Sequence, residues 1–132
     1  MLSGILRVVY TVIFGIATIY LYKNIYTGEL SNELINNNFH QFQSVWSVGL
    51  ILFGIHLVLV GILMKIHKRI PIALWVLTLI AGISYVIVHS LKLTPLTSGI
   101  VNNLEMVLAL PMVLGELGLA VWLIIKGGKD NQ

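Results

Sequence analysis

Long apolar runs alternate with short polar segments along the chain, and four of these runs are long enough to cross a lipid bilayer. The runs occupy residues 3–22, 44–64, 71–91 and 100–125. A helix needs about 20 mainly apolar residues to cross about 30 Å of hydrocarbon. The pattern therefore predicts an all-α, polytopic membrane protein. Its four transmembrane helices are expected to form an antiparallel bundle in one domain, 1–132.

The segment 23–43 between the first two runs is polar and rich in asparagine. Within it, Glu29 and Leu30 are followed four residues later by Glu33 and Leu34. This spacing is typical of a short amphipathic helix that lies on the membrane surface. We therefore predict that 23–43 is a loop carrying such a helix.

The composition excludes several classes of protein. Hydrophobic residues make up 58% of the chain and charged residues only 10%, whereas soluble domains carry about 25% charged residues. The chain has no cysteine, which excludes disulfides and thiolate metal sites. Its basic residues lie at the ends of apolar runs instead of on one face, so the expected partner is the lipid bilayer and not a nucleic acid.

The distribution of basic residues predicts the orientation in the membrane. Six lie on the side that holds both termini: Arg7, Lys65, Lys68, Arg69, Lys126 and Lys129. The other side holds Lys23 and Lys92. Cytoplasmic loops are enriched in Lys and Arg. Both termini are therefore expected to face the cytoplasm.

Six polar side chains within the apolar runs are candidate functional residues. They are Arg7, His56, Tyr85, His89, Glu105 and Glu116. Glu105 and Glu116 are eleven residues apart, so they share one helix face and lie about 16 Å apart along the axis. A charge exposed to hydrocarbon costs about 2.5 kcal/mol or more. We therefore expect this face to look into the protein.

Depth in the membrane predicts which of these side chains meet. His89 and Glu105 both lie near the outer boundary and are expected to interact. His56 and Glu116 lie at a similar level nearer the inner face, with Arg7 within reach of Glu116. Two interpretations remain open. The pairs are hydrogen bonds between helices, or Glu116 is a functional acid at mid-membrane.

Gly54 and Gly61 lie almost opposite His56 on the second helix. Small residues at this spacing allow close approach of another helix. This surface is expected to seat either a neighbouring helix of the same chain or a second copy, which would give a homodimer.

Known catalytic and cofactor patterns are not found in the sequence. A haem needs two histidines at one level, but His56 and His89 differ in depth by about 12 Å. No two histidines within a run have a metal-binding spacing. Phosphate-binding glycine loops and serine-nucleophile motifs are also missing. We therefore expect no cofactor, no metal and no enzymatic activity.

Three stretches resemble a bacterial and archaeal family of integral membrane proteins known as DUF4386, a domain of unknown function. They are FGIHLVLVGILMKIHKRIP (53–71), IPIALWVLTLIAGISYVIVHSL (70–91) and LPMVLGELGLAVWLIIKGG (110–128). The resemblance places His56, Pro111 and Glu116 inside family-like motifs and implies the plasma membrane of a prokaryote. Members of this family have about six spans, so the chain is similar to a short variant. The resemblance implies no known reaction or ligand.

Three functions remain open at this point. The first is an accessory, sensor or interaction protein that acts through helix contacts or a lipid-like ligand. The second is a small proton- or cation-coupled transporter subunit that uses Glu116. The third is a membrane-embedded enzyme, which has only the Glu and His residues in its favour. The first is the function we expect, and the transporter is the main alternative.

Overall fold

A computed structural model of the chain describes residues 2–26, 31–66, 70–94 and 98–126. These residues form four α-helices: α1 (Leu2–Tyr26), α2 (Asn32–Ile66), α3 (Ile72–Lys92) and α4 (Ser98–Lys126). Each helix is long and apolar enough to cross a membrane, and the described residues include no strand. The predicted all-α, four-span architecture is therefore confirmed. Lys68, Arg69 and Lys129, which contribute to the predicted charge bias, lie outside the described residues.

Part of the segment expected to be a loop with a surface helix belongs to a longer helix, whereas Glu29 and Leu30 of the expected surface helix lie outside the described residues. Residues 32–43 form the first turns of α2, a single helix of 35 residues. Neither proline nor glycine occurs between Asn32 and Val48, so nothing in the sequence interrupts the helix there. The Ser31 hydroxyl accepts a hydrogen bond from the Leu34 amide (3.3 Å) and so caps the helix start. The polar turns thus extend α2 beyond its apolar run.

Consecutive helices run antiparallel, as contacts along each pair demonstrate. Along α1 and α2, Tyr10 contacts Phe53 whereas Phe14, one turn later, contacts Trp46. We call the end of the molecule at which α3 ends and α4 begins the Lys92 end, and the opposite end the Lys65 end. The cap of α2 lies at the Lys92 end, and Arg7 lies towards the Lys65 end.

The helices pack in the order of the chain. Backbones approach closely between α1 and α2, α2 and α3, and α3 and α4, and between no other pair of the described helices. The central helices α2 and α3 are consequently the most enclosed, with 33% and 39% of their most apolar segments buried, against 6% for α1 and 11% for α4. The bundle therefore has two covered central helices and two flanking helices with broad exposed faces.

Small residues permit the closest approaches between helices. A Cβ atom added to Gly54 would lie 2.7 Å from the carbonyl oxygen of Gly82, and one added to Gly61 would lie 2.7 Å from Leu79. The surface around Gly54 and Gly61 thus seats α3 of the same chain, which is one of the two expected occupants. On the other side of α3, a Cβ atom on Gly115 of α4 would lie 2.5 Å from the Ala81 side chain. This contact fixes α4 against α3 one residue before Glu116.

Candidate functional site

A groove of about 900 Å³ lies at the Lys92 end of the bundle and is lined by residues of all four helices. It begins near Phe39 of α2 and Thr94 and ends at mid-depth, where Phe53, Tyr85 and Glu116 line it. Its lining on α4 runs from Val101 to Glu116, or about 22 Å of helix at 1.5 Å per residue. Its volume is in the range of small-molecule sites, about 300–1,000 Å³.

One wall of the groove is aromatic. Ring contacts connect Phe39 with Phe42 (6.2 Å between centroids), Phe42 with Trp46 (5.4 Å) and Trp46 with Phe14 (4.4 Å). Further in, Phe53 packs edge-on against Tyr85 at 5.3 Å. All of these rings line the groove. We call these six rings the aromatic wall, and their spacing is typical of favourable aromatic packing.

The inner end of the groove carries a carboxyl group. Gly115 packs against Ala81, and this contact brings the next residue, Glu116, near the Tyr85 side chain. One oxygen of the carboxyl group, Oε1, is buried and has no hydrogen-bond partner among the described residues. A buried acceptor without a donor is unfavourable, so Oε1 is a point at which a ligand could be held.

His89 is the second polar group of the groove without a partner. Its side chain is only 4% exposed, and its ring stacks on Tyr85 with centroids 5.9 Å apart and planes at 15°. Its Nδ1 atom is buried and has no hydrogen-bond partner in the part of the chain that the structure describes. Tyr85 therefore contacts both unsatisfied groups, Glu116 on one side and His89 on the other.

At the Lys92 end of the groove, Glu105 forms an ion pair with Lys92 at 2.6 Å. His89 is expected to interact with Glu105, and in the structure the hydrogen-bonded partner of Glu105 is Lys92. Lys92 lies three residues beyond His89, on the same side of α3, and its longer side chain reaches the carboxylate. Lys92 was missed as a site residue because depth alone cannot distinguish two neighbours on one helix face. Two features of the sequence could have identified Lys92: its positive charge and its position three residues after His89.

His56 lies outside the groove. Its Nδ1 atom and the Ser3 hydroxyl are hydrogen-bonded at 3.0 Å, and its ring lies 5.7 Å from the Tyr10 ring. These contacts place it between α1 and α2. The expected pairing of His56 with Glu116 is therefore not formed, because α2 and α4 do not pack together over the described residues.

The expected contact of Arg7 with Glu116 is also not formed. Arg7 is exposed on α1, and the described parts of α1 and α4 make no close backbone approach. Helical periodicity predicted the polar face of each helix correctly enough to place Tyr85, His89, Glu105 and Glu116 in one groove. It could not predict the lateral order of the helices, which decides whether two polar faces meet.

The site contains no evident metal centre in the described ranges, because no group of three or more His, Cys, Asp or Glu side chains there could hold a metal ion. Fold and groove together define a class, a multi-pass α-helical membrane protein with a one-ended groove between its helices. Within that class, the chain belongs to the DUF4386 family, a domain of unknown function, whose family model matches residues 1–127 and so includes all four helices.

A relative is known from an archaeon. The chain is 33% identical over 132 residues to an uncharacterized protein of Archaeoglobus fulgidus, which corresponds to 100% of this chain and 67% of the archaeal protein. No solved structure matches the chain.

Proposed function

We propose that this protein is an accessory or sensor-type protein of a prokaryotic plasma membrane that binds a lipid-like molecule in the groove, without catalysing a reaction on it. The observation that carries the proposal is the groove itself, a volume of about 900 Å³ with an aromatic wall and an unsatisfied carboxyl oxygen at its inner end. Ligand sites of this kind combine apolar walls with a few polar groups that orient the ligand.

The arrangement of the helices supports entry from the bilayer. Phe14 of α1 and several residues of α4 line the same groove, yet α1 and α4 do not pack against each other over their described lengths. No close backbone contact between the described parts of these two helices closes that side of the groove. A molecule dissolved in the membrane could enter there with its apolar part still in lipid.

Fluorescence quenching of Trp46 tests the proposal, because Trp46 lines the groove. A protein with Trp46 as its only tryptophan (Trp75→Phe, Trp122→Phe) is placed in nanodiscs and titrated with 12-bromododecanol, whose bromine quenches on contact. A protein with Trp122 as its only tryptophan reports the quenching caused by probe dissolved in the bilayer. We expect a saturable component for Trp46 that the Trp122 protein lacks.

Two matched variants locate the binding. Ala109 lines the groove, so Ala109→Phe fills it and should remove the saturable component. Ala120 is exposed on the same helix outside the groove lining, so Ala120→Phe should leave the component unchanged. Identical, non-saturable quenching in the Trp46 and Trp122 proteins would contradict the proposal.

One observation supports the transporter alternative: Glu116 lines the groove, and its Oε1 atom is buried without a hydrogen-bond partner among the described residues. A coupled transporter must expose its acid to both sides of the membrane in turn, whereas the described lining of the groove stops at the level of Glu116. Liposomes with a pH-sensitive dye inside distinguish the two functions. The binding proposal predicts no proton flux above that of empty liposomes when an amine gradient is applied. A flux that Glu116→Gln abolishes would favour the transporter.

A further inference from the structure

We propose that the ligand of the groove is a lipophilic organic ammonium, with its N–H groups at the Glu116 carboxylate and its apolar body along the aromatic wall. This inference rests on the proposed function and names the ligand class for the same site. It follows from the juxtaposition of an unsatisfied carboxyl oxygen with the faces and edges of aromatic rings at the closed end of the groove.

The carboxyl group selects for a donor that carries a positive charge. Oε1 of Glu116 is a buried acceptor without a partner among the described residues, and hydrogen bonds in which both groups are charged are the stronger kind. A protonated amine supplies both the N–H and the opposite charge. An alcohol supplies only the hydrogen bond, and a fatty acid anion would be repelled by a like charge.

The rings around Glu116 favour the same ligand class. Phe53 and Tyr85 lie 5.3 Å apart at the inner end of the groove, and Tyr85 also contacts the Glu116 carboxyl group. A cation within about 6 Å of an aromatic ring is attracted by the negative charge of the ring face. An ammonium group held at Glu116 would therefore lie near the Tyr85 ring, against which Phe53 packs.

The protein's own cations do not occupy this position. Among the described residues that line the groove, the only lysine or arginine is Lys92, which is bound to Glu105 at the other end. Arg7, the other nearby candidate, is exposed on α1, which does not pack against α4 in its described part. The inner end thus has a carboxyl group and aromatic rings without a lysine or arginine in its lining.

His89 adds a second anchoring atom. It lies one turn from Tyr85 towards the Lys92 end and is only 4% exposed, with Nδ1 unpartnered among the described residues. The ring can accept a hydrogen bond at Nδ1 when its proton is on Nε2. An amine ligand that extends along the groove from Glu116 therefore passes a second unsatisfied polar group of the lining.

Three probes with the same twelve-carbon chain test the inference: dodecylamine, which is protonated at pH 7, 1-dodecanol and dodecanoate. We measure how well each probe displaces 12-bromododecanol from the single-Trp46 protein in phosphatidylcholine nanodiscs. The concentration of each probe is expressed as its mole fraction in the bilayer, because the probes partition differently between water and lipid. We expect dodecylamine to displace the bromo-probe at about tenfold lower mole fraction than dodecanol, as a charge-assisted hydrogen bond implies. Dodecanoate should be the weakest.

Substitutions test whether the preference for dodecylamine depends on the Glu116 carboxyl group. Glu116→Gln keeps the size and hydrogen-bonding ability of the side chain but removes the charge, so it should reduce the preference for the amine to less than about threefold. Glu33→Gln makes the same change at an exposed position of α2 outside the groove lining and should leave the preference intact. The comparison of the three probes on the protein with native Glu116 does not depend on whether a variant folds.

The outcomes separate this inference from the proposed function. Displacement by dodecanol or dodecanoate at the same mole fraction as the amine would overturn the inference and leave the lipid-binding proposal in place. An amine preference that survives in folded Glu116→Gln would overturn it as well. If 12-bromododecanol gives no saturable quenching of Trp46, the proposed function fails.

Discussion

The ion pair between Lys92 and Glu105 is the strongest polar contact at the open end of the groove, with its atoms 2.6 Å apart and both side chains partly exposed. Exposed pairs of this kind contribute about 0.2–1 kcal/mol. A double-mutant cycle with Lys92→Met and Glu105→Gln should give coupling within that range when unfolding is measured in detergent. The matched cycle of His89→Ala with Glu105→Gln should show smaller coupling. The opposite order of the two couplings would contradict the structure.

The separation of Arg7 from Glu116 gives a second prediction at the scale of single residues. Residues more than about 7–10 Å apart without a shared partner have additive effects on stability. The loss of thermal stability in Glu116→Gln should therefore not be restored by Arg7→Met. Rescue in the double variant would mean that the two side chains form a pair across the bundle. A control is Tyr85→Phe, which removes a hydroxyl group near Glu116 and should be non-additive with Glu116→Gln.

At the scale of helices, glycines determine how closely α2 and α3 pack. A Cβ atom on Gly54 would lie 2.7 Å from the backbone oxygen of Gly82, whereas one on Gly15 of α1 would meet nothing within 4 Å. Gly54→Ala should therefore lower the thermal stability, because backbone would have to move. Gly15→Ala should be neutral or stabilising, by up to about 1 kcal/mol of helix propensity. Equal effects of the two substitutions would contradict the described α2–α3 packing.

The helices themselves were predictable from the sequence because length and hydropathy suffice to recognise a transmembrane segment. The apolar pattern does not predict the extension of α2 over 32–43, because polar residues favour a loop, yet 32–43 contains no proline or glycine that would end a helix. Four of the six polar candidates do line one groove. Which partner each one has depends on the lateral order of the helices, and the apolar pattern contains no information on that order. His56 illustrates the point, since it faces Ser3 of α1 and not the groove.

At the scale of the whole molecule, the charge distribution predicts that both termini face the cytoplasm. The chain has no native cysteine, so single cysteines at Asn36 and Asp130 can be probed with a membrane-impermeant thiol reagent in intact cells. Labelling is expected at 36, near the start of α2, and not at 130. Labelling at 130 but not at 36 would reverse the orientation and place the groove on the cytoplasmic side.

The position of a bound probe shows whether the groove between the helices holds a lipophilic ammonium, as we propose. Dodecylamine with a photoreactive diazirine at the end of its chain is cross-linked to the protein in nanodiscs, and the labelled residues are identified by mass spectrometry. We predict labels on the groove lining, on Phe42, Trp46 or Met112, that excess unlabelled dodecylamine removes. Labels confined to exposed positions of the flanking helices, such as Val8, Val12 and Ile124, and insensitive to competition would contradict the claim.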